Sequence, residues 1–236
     1  KSFNAMARDL ETHESLRRKL IADVAHELRT PLGAIRGELE AMMDGLIPND
    51  QGHLQSLYDE TGRLKKLVDG IEDLNQAESS VLYLKKENFE IKPFLENIAE
   101  QFRRQFQDKR VDLALECHAG QKLYADPERL SQIMVNLLSN ALRATGEGGE
   151  VLISVQPTGE ELAITVRDNG AGIREEDLPF IFERFYHGPG GGLGIGLTIV
   201  KDLAEAHGAR VEVKSSFGAG SSFTIIFPLK AVHNSS

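Results

Sequence analysis

Residues 21–46 read IADVAHELRTPLGAIRGELEAMMDGL, a stretch in which apolar residues recur every three or four positions. These positions are Ile21, Val24, Leu28, Leu32, Ile35, Leu39, Met42 and Leu46. The spacing predicts a long helix with one apolar stripe. Turn-forming residues follow at 45–50, and a second stripe with the same spacing runs from Leu54 to Leu74. The pattern predicts an antiparallel helical hairpin, which should form a dimeric four-helix bundle because two helices alone leave both stripes uncovered.

From about residue 88 the long helical period gives way to alternating helices and strands. Helices are predicted at 92–106, 127–144 and 195–207, and strands at 111–116, 122–125, 150–156, 161–167, 209–215 and 222–229. The Pro-Thr-Gly-Glu segment at 157–160 is typical of a turn between antiparallel strands. This part of the chain is therefore expected to form an α/β sandwich with a mixed sheet rather than a Rossmann array.

Composition narrows the function classes. The chain has 236 residues, no Trp and a formal net charge of −9, which argues against a nucleic-acid partner. One cysteine allows no disulfide framework, and no apolar run approaches the length of a membrane-spanning helix. A phosphate ligand would need a local arrangement of main-chain donors and a metal ion.

The first candidate site is His26, which lies two residues from both Val24 and Leu28. At about 100° per residue its side chain points roughly 200° away from the apolar stripe. Glu27 is adjacent and Thr30 lies one turn later, so an exposed nucleophile with supporting groups is one interpretation. On position alone, an ordinary surface histidine is the simpler one. A zinc-binding HExxH helix is disfavoured because Thr30 replaces the second histidine.

The remaining histidines have no such neighbours. His13, His53, His118 and His207 are expected to be solvated surface residues.

The second candidate site combines amides, a carboxylate and glycines. Gln132, Asn136, Asn140 and Arg143 line one flank of the helix predicted at 127–144, where they suit either a plain polar flank or a metal held with phosphates. Asp168 ends a predicted strand and introduces two glycines, which would let a ligand approach the backbone. The glycine-rich run at 190–196 opens a helix, an arrangement that suits phosphate.

Together these segments resemble the sensor histidine kinases of two-component signalling over nearly the whole chain. His26–Leu32 is similar to the H-box in its HisKA form, and Asn136–Ala141 to the N-box. Asp168–Ile173 is similar to the first glycine box, Phe182–Tyr186 to the F-box, and Gly192–Leu197 to the second glycine box.

The resemblance implies a phosphoacceptor hairpin and a GHKL-type domain that binds ATP and Mg²⁺. It implies that Asn140 ligates Mg²⁺ and that Asp168 holds the adenine amino group. Phe185 and Tyr186 would begin a lid over the nucleotide. The full set of nucleotide-binding residues that it implies is Asn136, Asn140, Arg143, Asp168, Gly170, Gly172, Phe185, Tyr186, Gly192, Gly194, Gly196 and Leu197.

The implied activity is autophosphorylation of His26, with Glu27 accepting a proton, followed by transfer to an aspartate on the receiver domain of a response regulator. Thr30 is expected to serve a second activity, hydrolysis of the regulator's phosphoaspartate. The alternatives are a dimeric nucleotide-binding scaffold and a phosphatase-only module with weak kinase activity. Ala144, where relatives usually carry an aromatic residue, and the short lid at 187–191 keep the scaffold alternative open.

A further alternative is a GHKL ATPase of the chaperone, topoisomerase or mismatch-repair kind. Those enzymes use a glutamate base where this chain has Asn136, and they lack the hairpin.

The expected organisation has three parts. Residues 1–15 resemble the end of a HAMP linker helix, 16–80 form the dimerisation and phosphotransfer hairpin, and 88–232 form the catalytic ATP-binding domain. The HAMP-like segment indicates the cytoplasmic portion of a cell-membrane sensor, which would reach the membrane only through upstream segments.

Overall fold

The computed structural model describes residues 24–25, 27–80, 83–186 and 194–229, with the backbone alone for Lys66 and 73–80. The chain divides into two compact units, Lys1–Glu72 and Asp73–Ser236. Among the sequence-predicted features, His26, Gly192, the HAMP-like segment and the short lid lie outside the described residues.

The first unit contains the predicted hairpin up to Glu72. Helix α1 covers residues 24–43 around the undescribed position 26, and α2 runs from Gln51 to Ser80. Asp50 begins α2, because its Oδ1 accepts the main-chain N–H groups of Gly52 and His53, each at 3.0 Å.

Glu38 joins the two helices near this turn. Its Oε1 lies 2.9 Å from His53 Nδ1, and its Oε2 accepts the Ser56 hydroxyl at 3.1 Å. These contacts between residues 15 and 18 positions apart confirm the antiparallel arrangement. They also correct the expectation for His53, which is half-buried against a carboxylate rather than solvated.

The apolar stripes remain largely uncovered within one chain. Among the described side chains of this unit, Pro31 and Leu67 alone are buried. The exposed apolar residues are Leu32, Leu39, Met43, Leu46, Leu54, Tyr58 and Val68. No helix in the described part of the chain is both long and apolar enough to cross a membrane.

The second unit is the predicted α/β sandwich. Its helices are α3 (Ile91–Asp108), α4 (Pro127–Ala144) and α5 (Gly196–His207), with a single 3-10 turn at Leu178–Phe180. Its strands are β1 (Glu87–Glu90), β2 (Asp112–Glu116), β3 (Lys122–Ala125), β4 (Glu150–Thr158), β5 (Glu161–Asp168), β6 (Arg210–Ser216) and β7 (Gly220–Pro228). The predicted bounds of α4 and β3 are confirmed, the others differ by one or two residues, and β1 was not predicted.

The main sheet is mixed. Its strand order is β2-β4-β5-β7-β6, with β2 and β4 parallel and the other pairs antiparallel, whereas β1 and β3 form a separate antiparallel pair. Burial alternates along the central strands, so that Ile153, Ile164 and Ile225 face the helices. The opposite face is half-exposed, which makes a two-layer sandwich.

His207 departs from its predicted exposure. It is the last residue of α5 and is buried, with Nδ1 donating to the Leu203 carbonyl at 2.7 Å and Nε2 accepting the Asp126 N–H at 3.1 Å. Burial lowers the pKa of this imidazole, in agreement with the neutral ring that these two bonds require. The prediction was wrong because α5 ends against the start of α4, a contact between residues 81 positions apart.

Candidate functional site

Helix α4 carries the polar flank. It begins at an extended Asp126, whose Oδ1 accepts the N–H groups of Glu128 and Arg129 at 3.0 and 3.2 Å, with Pro127 at the first helical position. Its buried residues are Leu130, Ile133, Met134, Leu137, Leu138 and Ala141. Because this stripe packs into the core, the rotation of α4 is fixed and the polar flank lies at its edge.

The flank residues are held in two pairs. Asn136 Nδ2 donates to the Gln132 carbonyl at 2.9 Å. Arg143 donates to Asn140 Oδ1. Nearby protein atoms desolvate the Arg143 guanidinium and lower its pKa, but an arginine remains charged at neutral pH. This end of α4 therefore offers one fixed cation and two amide groups.

The start of α5 approaches the same flank. A Cβ atom at Gly196 would lie 2.7 Å from Asn136 Oδ1, closer than a real side chain tolerates. Leu197 is half-buried and Thr198 is buried. The structure thus brings Gly196 of the second glycine-rich segment to Asn136, and the N-terminus of α5 lies beside the amides.

Asp168 is a buried carboxylate at the end of β5. Only 4% of the residue is exposed. Its Oδ1 accepts the N–H groups of Gly170 at 2.9 Å and Ser221 at 3.3 Å. Burial raises the pKa of this carboxyl, and the two N–H donors partly oppose that effect. Among the residues that the structure describes, no lysine, arginine or histidine forms an ion pair with it, and its hydrogen-bond donors are main-chain N–H groups.

Such a group is costly to bury. A carboxyl group in this setting is a candidate functional residue, because a charge that contributes little to folding needs another reason to be there.

The glycines after Asp168 are required by packing against the protein itself. A Cβ atom at Gly170 would lie 2.4 Å from the Ala144 carbonyl oxygen. At Gly172, where φ is +67°, it would lie 2.0 Å from the Ser216 carbonyl oxygen. The sequence interpretation was that these glycines let a ligand approach the backbone. In the structure the side-chain direction at both positions is occupied by main chain, which gives the loop a second reason for its glycines.

The segment that would begin the lid is joined to the start of α5. Phe185 has a left-handed backbone (φ +61°), and its N–H donates to the Gly194 carbonyl at 2.9 Å. Gly194 also has positive φ, and a Cβ there would lie 2.4 Å from the Phe185 carbonyl carbon. Thr198 Oγ1 donates to the Phe182 carbonyl at 3.1 Å. The two ends of the stretch from Phe185 to Gly194 are therefore held together.

Tyr186 has a partner that the sequence did not indicate. Its hydroxyl donates to Asp177 Oδ1, and Arg174 Nε donates to the other carboxylate oxygen at 2.9 Å. The tyrosine hydroxyl and the arginine lower the pKa of Asp177, and the same hydrogen bond raises the pKa of Tyr186. The Tyr186 ring also lies 5.9 Å from that of Phe180. No sequence motif identified Asp177 in advance.

The phosphoacceptor candidates belong to the other compact unit. Glu27 is half-buried and Thr30 is exposed, both on α1. In the part of the chain that the structure describes, no group of three or more histidine, cysteine, aspartate or glutamate side chains could hold a metal ion.

Two known protein families match separate parts of the chain. Residues 16–80 match the family described as His Kinase A (phospho-acceptor) domain, and residues 125–231 match the Histidine kinase-, DNA gyrase B-, and HSP90-like ATPase family. The chain belongs to the sensor histidine kinases of two-component systems. The resemblance that the sequence motifs indicated is thereby confirmed.

Individual sensor histidine kinases align over almost the whole chain. The signal transduction histidine-protein kinase BaeS of Escherichia coli is 36% identical over 97% of this chain and 50% of its own length. Sensor histidine kinase YclK of Bacillus subtilis is 33% identical over 97% of this chain and 52% of its own length. The chain thus spans about half the length of the curated relatives it matches.

Solved histidine kinase structures share the fold. Histidine kinase AdeS of Acinetobacter baumannii superposes with a TM-score of 0.69 at 26% identity, covering 87% of this chain and 98% of that one. Histidine kinase ThkA, solved in complex with response regulator protein TrrA, superposes with a TM-score of 0.75 at 23% identity, covering 90% of this chain and 61% of that one.

Proposed function

We propose that this chain is an ATP-dependent protein-histidine kinase that autophosphorylates His26 and passes the phosphoryl group to an aspartate of a response regulator. The observation that carries the proposal is the combination in one chain of a phospho-acceptor domain spanning His26 with an ATPase domain whose buried Asp168 has no described cationic partner. The functional division falls at 16–80 and 88–232, with a HAMP-like segment at 1–15.

Asp168 suits the recognition of adenine. Both main-chain N–H groups bond to Oδ1. Oδ2 is then available to accept a hydrogen bond from the exocyclic amine of adenine, which is a donor. A carboxylate with fixed main-chain partners presents this acceptor in one orientation, so the adenine end of ATP is positioned from β5.

The phosphate end is assigned to α4 and to the start of α5. Asn140 Oδ1 suits a Mg²⁺ ion already held by phosphates, and Arg143 suits a phosphate oxygen. In this structure Arg143 donates to that same Oδ1. A guanidinium and a metal cation repel each other at one oxygen, so we expect Arg143 to exchange Asn140 for phosphate when the metal-nucleotide complex binds. Asn136 lies next to these groups.

The glycine-rich segment completes the assignment. Gly192, Gly194, Gly196 and Leu197 lead into the N-terminus of α5, where main-chain N–H groups and the helix dipole favour phosphate. Gly170 and Gly172 shape the loop beyond Asp168, and Phe185 and Tyr186 begin the lid. A bound Mg²⁺ would neutralise charge on the phosphates during transfer.

The chemical step is an in-line displacement at the γ-phosphorus. A neutral imidazole nitrogen of His26 forms the new N–P bond as the bond to the β,γ-bridging oxygen breaks and ADP leaves. Glu27 accepts the proton from the other ring nitrogen, which raises the nucleophilicity of the ring. The phosphoryl group then moves from nitrogen to the aspartate oxygen of the regulator. Thr30, one turn later on α1, would orient water for hydrolysis of that phosphoaspartate.

The hairpin supplies the dimer interface in this proposal. Its exposed apolar side chains, among them Leu46 (77% exposed) and Leu32 (52% exposed) of the first stripe, are typical of a surface that a second copy covers. The receiver domain of a response regulator is the expected partner, a class represented by TrrA in its complex with ThkA. We further propose that the chain is the cytoplasmic portion of a cell-membrane sensor, as the resemblance of residues 1–15 to the end of a HAMP linker helix implies.

The test is transfer of label from γ-labelled ATP. We expect acid-labile, base-stable label on the wild type and none on His26→Gln. His53→Gln is the matched control, since it removes another hairpin histidine, and it should label normally. Acid-stable label, or label that survives in His26→Gln, contradicts the histidine assignment. Tight ATP binding without any label would instead indicate the nucleotide-binding scaffold.

A further inference from the structure

The last four main-chain carbonyl groups of α4 have no N–H donor within the helix, because the helix ends there. Two of the last four have partners nearby in sequence or in the neighbouring loop. The Ala141 carbonyl accepts the N–H and the hydroxyl of Thr145 at 2.9 and 2.8 Å. The Ala144 carbonyl accepts the Ala171 N–H at 3.0 Å.

The other two carbonyl groups share one distant side chain. Lys109 Nζ donates to the Leu142 carbonyl at 2.6 Å and to the Arg143 carbonyl at 3.1 Å. These contacts join residues 33 and 34 positions apart. A lysine ammonium at a helix C-terminus also interacts favourably with the negative end of the helix dipole. Lys109 therefore closes the last turn of α4 from outside the helix.

The backbone around Lys109 is itself fixed. Lys109 is the C-cap residue that follows α3. The Arg110 N–H donates to the Gln107 carbonyl and the Val111 N–H to the Phe106 carbonyl, each at 2.9 Å. This is the Schellman pattern, with Arg110 in the left-handed conformation (φ +55°) that glycine usually supplies. The direction of the Lys109 side chain is thus set by a defined helix end.

We propose that Lys109 is a positioning residue for the phosphate and metal end of the nucleotide site. The proposal rests on the function proposed above. Arg143 belongs to the turn that Lys109 closes and supplies one of its two acceptors, and Asn140 immediately precedes that turn. Asp168, which would hold adenine, lies on β5, and its Oδ1 is held by the N–H groups of Gly170 and Ser221. The carbonyl by which this end of α4 holds the neighbouring loop is that of Ala144, which bonds to the Ala171 N–H and not to Lys109. Lys109 should therefore act on one end of the nucleotide only.

Lys109→Met keeps the apolar stem and removes the ammonium. We expect the Leu142 and Arg143 carbonyl groups to lose this partner while the Ala171 N–H still holds the Ala144 carbonyl. ATP with Mg²⁺ should then bind on the order of tenfold more weakly, the lower end of the effect of groups that orient a metal ligand. Binding of adenosine, which has no phosphates, should not change. Calorimetry measures the first affinity, and titration of the isotope-labelled chain followed by NMR measures the second.

Three variants separate positioning from general stability. Lys109→Arg keeps a cationic donor and should have nearly the wild-type ATP affinity. Lys109→Gln has a shorter, uncharged amide donor, so its ATP affinity should lie between those of the Arg and Met variants. The Gln variant replaces the Met variant in the test if the latter does not fold. Arg104→Met is the matched control: it removes an α3 cation that is 92% exposed and 3.8 Å from Asp108, so ATP affinity should stay at the wild-type value.

The outcomes distinguish the two proposals. If Lys109→Met binds ATP with Mg²⁺ as the wild type does, the positioning role is overturned. If it loses ATP and adenosine affinity by the same factor, Lys109 is merely structural and the role is again overturned. Failure of the wild type to bind ATP overturns the proposed function and the role of Lys109 with it.

Discussion

Asp168→Asn is the substitution that separates recognition from folding at the adenine end of the site. Asn and Asp have the same shape, but the amide has only one oxygen. Because the N–H groups of Gly170 and Ser221 both bond to Oδ1, the amide oxygen should take that place. The amide NH₂ then faces the adenine amine, so that two donors meet. Loss of a hydrogen bond to a charged group costs about 1.5–3 kcal/mol, which corresponds to roughly 10- to 150-fold in ATP affinity.

The same substitution should reverse base preference. An NH₂ group at this position is complementary to the 6-oxo acceptor of inosine triphosphate, which the wild-type carboxylate would repel. Calorimetric titration of each nucleotide is expected to show ATP bound more tightly by the wild type and inosine triphosphate bound more tightly by Asp168→Asn. Asp108→Asn, which removes an exposed negative charge on α3, should keep the wild-type order.

The stability of the ligand-free chain should not fall with its ATP affinity when Asp168 is replaced by Asn. Burial raises the pKa of Asp168 above its ordinary value of 3.8, so the folded chain binds the proton more tightly than the unfolded chain. Wild-type unfolding free energy then falls as pH rises through the window above 3.8, and the neutral amide does not incur this loss. At neutral pH, ligand-free Asp168→Asn should melt no lower than the wild type. Unchanged ATP preference, or a melting temperature lower by many degrees, would refute the reasoning.

Further predictions concern the helix ends and loops around the site. Burial holds the pKa of His207 below its ordinary value of 6.5, so between the two values the unfolded chain binds more protons than the folded chain. Denaturant titrations should show that the unfolding free energy decreases as the pH falls below about 6.5, and His207→Gln should flatten this dependence. Gly172→Ala should destabilise the domain by well over the roughly 1 kcal/mol that positive φ costs, because its Cβ would lie 2.0 Å from the Ser216 carbonyl oxygen at the end of β6. Gly159→Ala, with φ +63° and no atom within 4 Å of the added Cβ, should cost only the roughly 1 kcal/mol of positive φ. Thermal unfolding measures both effects. Tyr186→Phe removes the hydrogen bond that lowers the pKa of Asp177, so an NMR titration of that carboxyl should move toward its ordinary value; an unchanged titration would show that Arg174 alone sets it.

Much of the fold could be predicted because it depends on local patterns. The bounds of α4 follow from Asp126 and Pro127 at its start and from an unbroken apolar stripe. The hairpin follows from two stripes and one turn. Strand β1 has only four residues and one half-buried position, so its pairing with β3 leaves no periodic signal in the sequence.

The parts of the site that could not be predicted depend on contacts between distant residues. In the sequence, Lys109 is one of several cationic residues near the end of α3. The fold brings it to the Leu142 and Arg143 carbonyl groups of α4. The burial of His207 also depends on a distant contact, since it results from the packing of α5 against Asp126. Asp177 contacts Tyr186 because of the path of the loop between them, and local sequence propensities do not predict that path.

The glycines around Asp168 show why a motif and a binding contact are different observations. Gly170 and Gly172 have main-chain carbonyl oxygens where a Cβ would stand, and a Cβ at Gly220 would lie 2.0 Å from the carbonyl oxygen of Asp168 itself. These close approaches fix the loop and the β6–β7 turn around one carboxylate, and the N–H groups they bring there fix its Oδ1. A glycine motif can therefore persist for packing alone, in a chain that binds nothing. A buried Asp168 without a cationic partner in the described chain has no comparable structural justification, because an amide would satisfy the same N–H groups without the cost of a buried charge. The inference that this chain binds a nucleotide accordingly depends on Asp168 rather than on the glycines that surround it.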